Sequence, residues 1–154
     1  MLKNVLLIVL MSIGIAGAGL AQTLDAQTFQ DQWDQPAALN TEVEWLIFSH
    51  HKDGAAWVKE SLDALNIKDL QARHWLYVAD ISQMPGFVTR LFALPKMKDY
   101  AFPIALVRDE ALIGNWPRDD ETVSVYRLAD LQIEEVSNFS SQEELQRFLA
   151  GMTE

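Results

Sequence analysis

The chain has 154 residues, of which 49% are hydrophobic and 22% charged, and it contains no cysteine. These proportions are typical of a single globular domain. The lack of cysteine excludes disulfide bonds, thiolate metal ligands, iron–sulfur clusters and every thiol-based redox reaction. The net charge of −10 opposes binding to nucleic acid and docking to anionic lipid.

Residues 1–21 have the pattern of a secretory signal peptide. Lys3 gives a short basic start, residues 5–15 are apolar, and small residues precede a cleavage site after Ala21, with a cut after Ala18 as the alternative. The alternative is a retained transmembrane anchor, for which this apolar stretch is short. The sequence therefore predicts export to the periplasm or beyond, with no stable membrane insertion after cleavage. Residues 22–154 then form one domain of net charge −11, because Lys3 is the only charged residue removed from a chain of net charge −10.

Strand and helix patterns alternate in the first half of the mature chain. Polar residues 22–40 indicate a weak N-terminal hairpin. Val43–Phe48 ends in a continuous apolar run, which is typical of a central strand covered on both faces. Apolar residues spaced by four and three predict a helix over Ala55–Leu65, with Asp53 as its N-cap. His74–Ile81 is rich in aromatic and β-branched residues and predicts a second strand.

The second half continues this alternation. A helix is predicted from Pro85, and Pro95 ends or kinks it. Three further strands follow, the last two as a hairpin, and a Ser141/Glu144 capping box begins the final helix. These elements cover Pro103–Val107, Val123–Leu128, Gln132–Val136 and residues 141–152.

In this order the chain resembles the thioredoxin-like superfamily, in the variant used by peroxiredoxins and other thiol-specific antioxidant proteins. The resemblance implies a three-layer α/β fold, in which helices flank a central mixed sheet and an N-terminal hairpin precedes it. Two further stretches, 77–85 and 92–97, are similar to a narrower group of uncharacterised exported bacterial proteins. The likeness to peroxiredoxins is carried by Phe29–Pro36, by Leu46–Ser49 with the helix after it, by Ala101–Asp109 and by Val123–Ile133 with the last helix.

The family places its cysteine or Cys-x-x-Cys pair directly after the first central strand. Here that segment is Ser49-His50-His51-Lys52-Asp53, so the resemblance implies a redox-inactive variant without a thiolate nucleophile. The family also carries a cis-proline that faces this site. Pro103 takes that place in one register and Thr122 in another, and the second is favoured because it accounts for the final hairpin.

Three residues of this loop have side chains that bind metals or act in catalysis. His50, His51 and Asp53 are candidate ligands for zinc or copper, although adjacent histidines on extended chain usually point apart. The alternative is a solvated turn. Ser49 with a histidine and Asp53 suggests a hydrolase, but no nucleophile-elbow motif is present. No glycine-rich phosphate loop is present either, so no cofactor is indicated.

Aromatic and basic residues supply a second set of candidates. If Trp57 and Trp116 are exposed together, with Arg118 beside them, they form a surface for an envelope protein or peptide. The alternative is that both tryptophans cover the edge of the sheet. Four bases either pair with Asp99 and Asp109 or receive an acidic partner or a small anion. These bases are Arg90, Lys96, Lys98 and Arg108.

Two functions from different classes fit these observations. The first is an exported, redox-inactive thioredoxin-like binding or adaptor domain of the bacterial envelope. The alternative is a thiol-independent enzyme, or a metal or small-ligand binder, that uses the His50–Asp53 loop. An exposed apolar patch near that loop favours the first function. Convergence of the loop side chains with His74 or Arg118 in one cleft favours the second.

Overall fold

The computed structural model describes residues 21–154. The predicted signal peptide therefore lies outside the described residues, apart from Ala21. None of the helices in residues 21–154 is long and apolar enough to span a membrane.

Seven strands form one mixed sheet in the order β2-β1-β5-β4-β3-β6-β7. The two central strands, β3 and β4, run parallel, whereas β6 and β7 form an antiparallel hairpin at one edge. The N-terminal hairpin β1-β2 lies at the other edge and joins the sheet through β5. The strands are β1 Gln27–Gln30, β2 Pro36–Leu39, β3 Trp45–Ser49, β4 Trp75–Asp80, β5 Ala105–Val107, β6 Val123–Ala129 and β7 Gln132–Phe139.

The helices connect these strands. Segment 86–97 is a continuous helical stretch in which a π-helical turn, Thr89–Ala93, separates α2 from α3. Pro95 lies in the first turn of α3, directly after the π turn, where a residue without a backbone N–H is tolerated, and the helix continues past it to Met97. The α-helices are α1 Lys52–Ala64, α2 Gly86–Val88, α3 Leu94–Met97 and α4 Gln142–Gly151, and 3₁₀ turns cover Gln71–Arg73 and Glu110–Ile113.

Alternate residues of the central strands enter two cores on opposite faces of the sheet. Ile47 and Tyr77 pack with α1, α3 and α4 on one face. Leu46, Phe48 and Val78 face the other side, which is covered by the 3₁₀ turn Glu110–Ile113 and by connecting segments. A helical layer, the sheet and a layer of loops therefore give the predicted α/β fold, and the fold class is confirmed.

The end of the sheet that follows β3 and β4 positions the candidate site. β3 and β4 are parallel and pair from Trp45–Trp75 to Ser49–Ala79, so their carboxyl ends lie side by side at the same end of the sheet. The loop from His50 to α1 begins at this end of the sheet.

The predicted capping residue of the last helix is also confirmed, because Ser141 Oγ accepts a hydrogen bond from the Glu144 N–H.

Candidate functional site

Ser49 ends β3 and belongs to the core. Its side chain is buried, and its hydroxyl shares a hydrogen bond of 2.9 Å with the hydroxyl of Tyr77. Burial raises the pKa of Tyr77 above its ordinary value, and the bond from Ser49 opposes that rise. The hydroxyl of Ser49 is therefore held by a tyrosine of the neighbouring strand and is not paired with a histidine, as the hydrolase arrangement requires.

His50 is half-buried against the aromatic end of β3. Its ring centroid lies 5.6 Å from that of Phe48, and its Nε2 lies 3.2 Å from the carbonyl oxygen of Asp119. The Arg118 guanidinium lies 5.6 Å from the centroid of the Phe48 ring. Burial lowers the pKa of His50, which the Asp119 carbonyl opposes and the charges of His51 and Arg118 reinforce. Arg118 therefore lies near His50, which is one of the two arrangements that the enzyme or ligand-binding alternative requires.

His51 is the N-cap residue of α1, but its side chain makes no capping hydrogen bond. Its ring packs edge-on against Trp57 at 5.5 Å and over Gly54 in the first turn of the helix. The Nδ1 atom is buried and has no hydrogen-bond partner among residues 21–154. His51 is therefore packed into the surface, and its ring also lies close to that of His50, with the two centroids 5.4 Å apart rather than pointing apart as expected for adjacent histidines on extended chain.

Asp53 does not have the predicted role of N-cap. It is the second residue of α1, exposed in the first turn, where its charge is favourable because of the positive end of the helix dipole. Lys52 is also exposed. His74 precedes β4 and so lies at the opposite end of the sheet from the loop. No three His, Asp or Glu side chains in residues 21–154 come together as metal ligands would.

Trp116 does not belong to an exposed partner surface. It is 4% exposed and packs edge-on against Phe29 and Phe48 in the core on the loop-covered face of the sheet. Trp57 is partly buried, and its indole covers the helical core beside His51. The paired exposure on which the predicted aromatic surface depends is absent, although Trp57 and Arg118 both lie near the loop.

Thr122 occupies the place that the favoured register assigns to it. It immediately precedes β6, whose first residue, Val123, pairs with Ser49 at the end of β3. Its hydroxyl donates a hydrogen bond of 2.8 Å to the Asp119 carbonyl. Pro103 precedes β5 instead. No peptide bond in residues 21–154 is cis.

The sequence interpretation missed an exposed apolar surface on the 86–97 helix. Phe87, Leu91 and Phe92 are 58%, 59% and 65% exposed. Arg90 and two lysines on the same segment are also exposed, and ion pairs in the described residues involve Lys59 and two other arginines instead. We call this the 86–98 surface, formed by Phe87, Arg90, Leu91, Phe92, Lys96 and Lys98.

Two sequence signals pointed to this surface. No acidic residue occurs from 81 to 98, although the chain has 22 acidic residues. In addition, the apolar residues of this helix exceed the single stripe that packs on a sheet. The predicted pairing of its bases with Asp99 is absent, so their charges are available to a partner.

Neither a protein-family model nor a curated protein matches the chain. Solved structures do match. One is peroxidoxin BcpB from Mycobacterium tuberculosis, with 13% identity, a TM-score of 0.56, and coverage of 86% of this chain and 95% of that chain. StoA from Bacillus subtilis has 13% identity and a TM-score of 0.56 over 84% of this chain and 97% of its own.

A third match is the thioredoxin domain of a thiol-disulfide oxidoreductase from Bacteroides vulgatus. It has 10% identity and a TM-score of 0.54, and the match covers 86% of this chain and 96% of that chain. Identities this low establish the fold and leave activity open. Together with the sheet order and the composition, they show that the chain has a thioredoxin-like fold without redox cysteines.

Proposed function

We propose that the chain is an exported, redox-inactive thioredoxin-like domain that binds a protein partner in the bacterial envelope. The N-terminal signal pattern supports export. The lack of cysteine supports redox inactivity, because thiol–disulfide exchange and thiol peroxidase chemistry both need a thiolate.

The 86–98 surface is the observation that carries the binding role. Three large apolar side chains more than half exposed on one short helix are unusual unless a partner covers them. Arg90, Lys96 and Lys98 surround them in a chain whose net charge is −10. Charge complementarity therefore favours a protein segment that presents apolar side chains flanked by carboxylates. A π-helical turn within the segment is a further feature often found at functional sites.

The direct test uses two labelled synthetic peptides of one length. The first is an amphipathic leucine–glutamate peptide, and the second has lysine in place of every glutamate. Fluorescence anisotropy with residues 22–154 should show binding of the first peptide only. The variant Leu91→Ser/Phe92→Ser should bind at least about tenfold more weakly, since each lost apolar contact costs about 1 kcal/mol or more.

The matched control is Leu112→Ser, which removes an exposed apolar side chain from a different segment. It should bind the peptide as the unmodified chain does. Equal binding of both peptides, or equal loss in both variants, contradicts the proposed surface. Insertion of the surface into phosphatidylglycerol vesicles, or its burial in a dimer during sedimentation, would replace the protein partner with another occupant.

The envelope role has a separate test. The tagged full-length chain is expressed, the envelope is cross-linked, and proteins retained with the tag are identified by mass spectrometry. A partner that is retained by the unmodified chain and by Leu112→Ser, but lost with Leu91→Ser/Phe92→Ser, supports the adaptor role. N-terminal sequencing of the same purified chain should begin at Gln22. A chain that is unprocessed and cytoplasmic contradicts export.

The alternative function, a thiol-independent enzyme or a metal or small-ligand binder at His50, His51 and Asp53, retains two favourable observations. The rings of His50 and His51 lie close together, with centroids 5.4 Å apart. The Nδ1 atom of His51 is buried without a hydrogen-bond partner among the described residues. The geometry is less favourable in other respects, because His50 already contacts the Asp119 carbonyl and Asp53 faces solvent. The metal-binding form of this alternative is tested by calorimetric titration of zinc into the unmodified chain and into His51→Ala.

A further inference from the structure

A cavity of about 530 Å³ opens at a gap in the sheet, at the opposite end of β4 from the His50 loop. The gap arises because β5 is short and pairs only with Val78–Asp80. The preceding half of β4, Trp75–Tyr77, therefore faces β2 of the N-terminal hairpin across open space. The volume lies within the range of sites that hold small organic molecules.

The lining of the cavity is mixed. Val43, Leu70, Trp75 and Pro103 contribute apolar surface. The polar residues of the lining include Asp31, Asn40, Glu42, Gln71 and His74. A site of this kind recognises a molecule with an apolar body and a few polar atoms at one end.

Asp31 is the polar group that is held most firmly. It is 5% exposed and lines the cavity. Its Oδ1 accepts hydrogen bonds from the backbone N–H groups of Trp33 and Gln35, at 2.8 and 2.9 Å. The structure records no hydrogen bond to its Oδ2 from any described residue. This oxygen is not among the fully buried atoms, so it is accessible from the cavity, and a carboxylate oxygen without a protein partner forms strong hydrogen bonds with a cationic donor.

The other polar groups around the cavity point to the same kind of ligand. Glu42 is a second acidic residue of the lining, and no lysine or arginine of residues 21–154 belongs to it. His74 also lines it, with Nδ1 3.1 Å from the Glu42 carbonyl oxygen and a left-handed backbone of φ 58°. Such a backbone is uncommon for a residue other than glycine and is often found at binding sites.

The basic group of the neighbouring Arg73 does not fill this role. The Arg73 guanidinium lies 5.6 Å from the centroid of the Trp75 ring, and Arg73 is not part of the lining. The net charge of −10 further raises the local concentration of cations at the surface.

We infer that this cavity binds an organic ammonium ion: a small amine whose apolar body lies along the Trp75 wall and whose ammonium group donates to Asp31 Oδ2. This site is separate from the 86–98 surface and does not depend on the proposed partner. A carboxylate of the same shape is rejected by the two acidic side chains.

The test uses three probes of one shape, phenethylamine, 2-phenylethanol and phenylacetate, titrated into ¹⁵N-labelled residues 22–154. Phenethylamine should shift the amide resonances of residues 37–40 and 75–77. 2-Phenylethanol should bind about tenfold more weakly, as expected for the loss of one charge-assisted hydrogen bond, and phenylacetate should not bind.

Asp31→Asn is the matched variant, because its Oδ1 still accepts both backbone hydrogen bonds while the charge is lost. It should weaken phenethylamine binding about tenfold. Asp34→Asn, on an exposed acid of the same turn that does not line the cavity, should leave binding unchanged.

A third variant keeps the test valid if Asp31→Asn fails to fold. Ala38→Leu fills the cavity from an exposed position of β2 and should abolish the shifts. No binding of phenethylamine, equal binding of all three probes, or binding unaffected by both Asp31→Asn and Ala38→Leu overturns the inference.

Discussion

Gly54 is the residue at which the loop and the first helix depend most directly on each other. A Cβ atom at this position would lie 2.6 Å from Cε1 and 2.9 Å from Nδ1 of His51, and 3.1 Å from Cγ2 of Val123. Glycine normally weakens a helix by about 1 kcal/mol relative to alanine. Its presence in α1 is explained by the close approach of the His51 ring, which seals the N-terminal end of the helix.

We predict that Gly54→Ala lowers the free energy of unfolding by about 1–2 kcal/mol, because the added methyl displaces the His51 ring and overpacks the site. In a His51→Ala background the same change should cost at least about 1 kcal/mol less, since the main clash is gone and alanine favours the helix. Urea unfolding of the four chains measures both quantities.

Gly86→Ala is the control for this cycle. No atom of residues 21–154 lies within 4 Å of a Cβ at Gly86, so this substitution should leave stability unchanged or slightly raised. If Gly54→Ala costs the same with and without His51, the packing of the ring on the glycine is not the reason for the loss.

The loop segment that covers the second face of the sheet depends on Trp116. This indole packs against Phe29, Phe48 and Tyr126, and it is 4% exposed. The 86–97 helix shows the reverse, since Phe92 projects from it and is 65% exposed. The two elements therefore predict opposite results for the same kind of substitution.

We expect Trp116→Ala to lower the free energy of unfolding by about 3–5 kcal/mol, as for other large core residues. Phe92→Ala should change it by less than about 0.5 kcal/mol, as for a surface residue. Thermal and urea unfolding distinguish the two. A loss of stability in Phe92→Ala comparable to that in Trp116→Ala would show that the 86–98 surface is packed on the domain rather than open to a partner.

Elements with strong local signals were predictable from the sequence. β3 was identified because burial on both faces requires an unbroken apolar run, and Leu46, Ile47 and Phe48 are fully buried. The start of the last helix is predictable because Ser141 and Glu144 have the spacing of a capping box, and the hydrogen bond between Ser141 Oγ and the Glu144 N–H forms within that first turn. Both signals lie within a few residues and do not depend on the rest of the chain.

The errors concern features set by contacts distant in sequence. Trp116 is buried because it packs against Phe29 and Phe48 of two different strands on the same face of the sheet. The residues next to Trp116 in the sequence do not indicate these contacts. Leu91 and Phe92 have helical spacing, but spacing does not say whether the rest of the chain covers that face. The start of α1 was missed because capping preferences favour Asp53, whereas the helix begins after His51 without a side-chain cap.

At the scale of the whole molecule, acidic residues outnumber basic ones. The chain has 22 acidic and 12 basic residues, and the ion pairs in the described residues, such as Lys59–Asp63 and Arg127–Glu134, are at the surface. Surface pairs of this kind contribute about 0–1 kcal/mol each. Net repulsion therefore acts against the compact state, while the 86–98 surface is a local exception with bases and no acids.

We predict that the free energy of unfolding at pH 7 rises as NaCl increases, when the Debye length falls from about 30 Å at 0.01 M to about 8 Å at 0.15 M. Screening weakens the repulsion among the excess carboxylates more than it weakens the few exposed ion pairs. Arg90→Glu makes the net charge more negative and should steepen this dependence, whereas Glu60→Lys, at an exposed position of α1, should flatten it. Urea unfolding at the two salt concentrations measures the change. A free energy that falls with salt in all three chains would mean that attractive surface pairs, and not the excess of acidic groups, dominate the electrostatics of this fold.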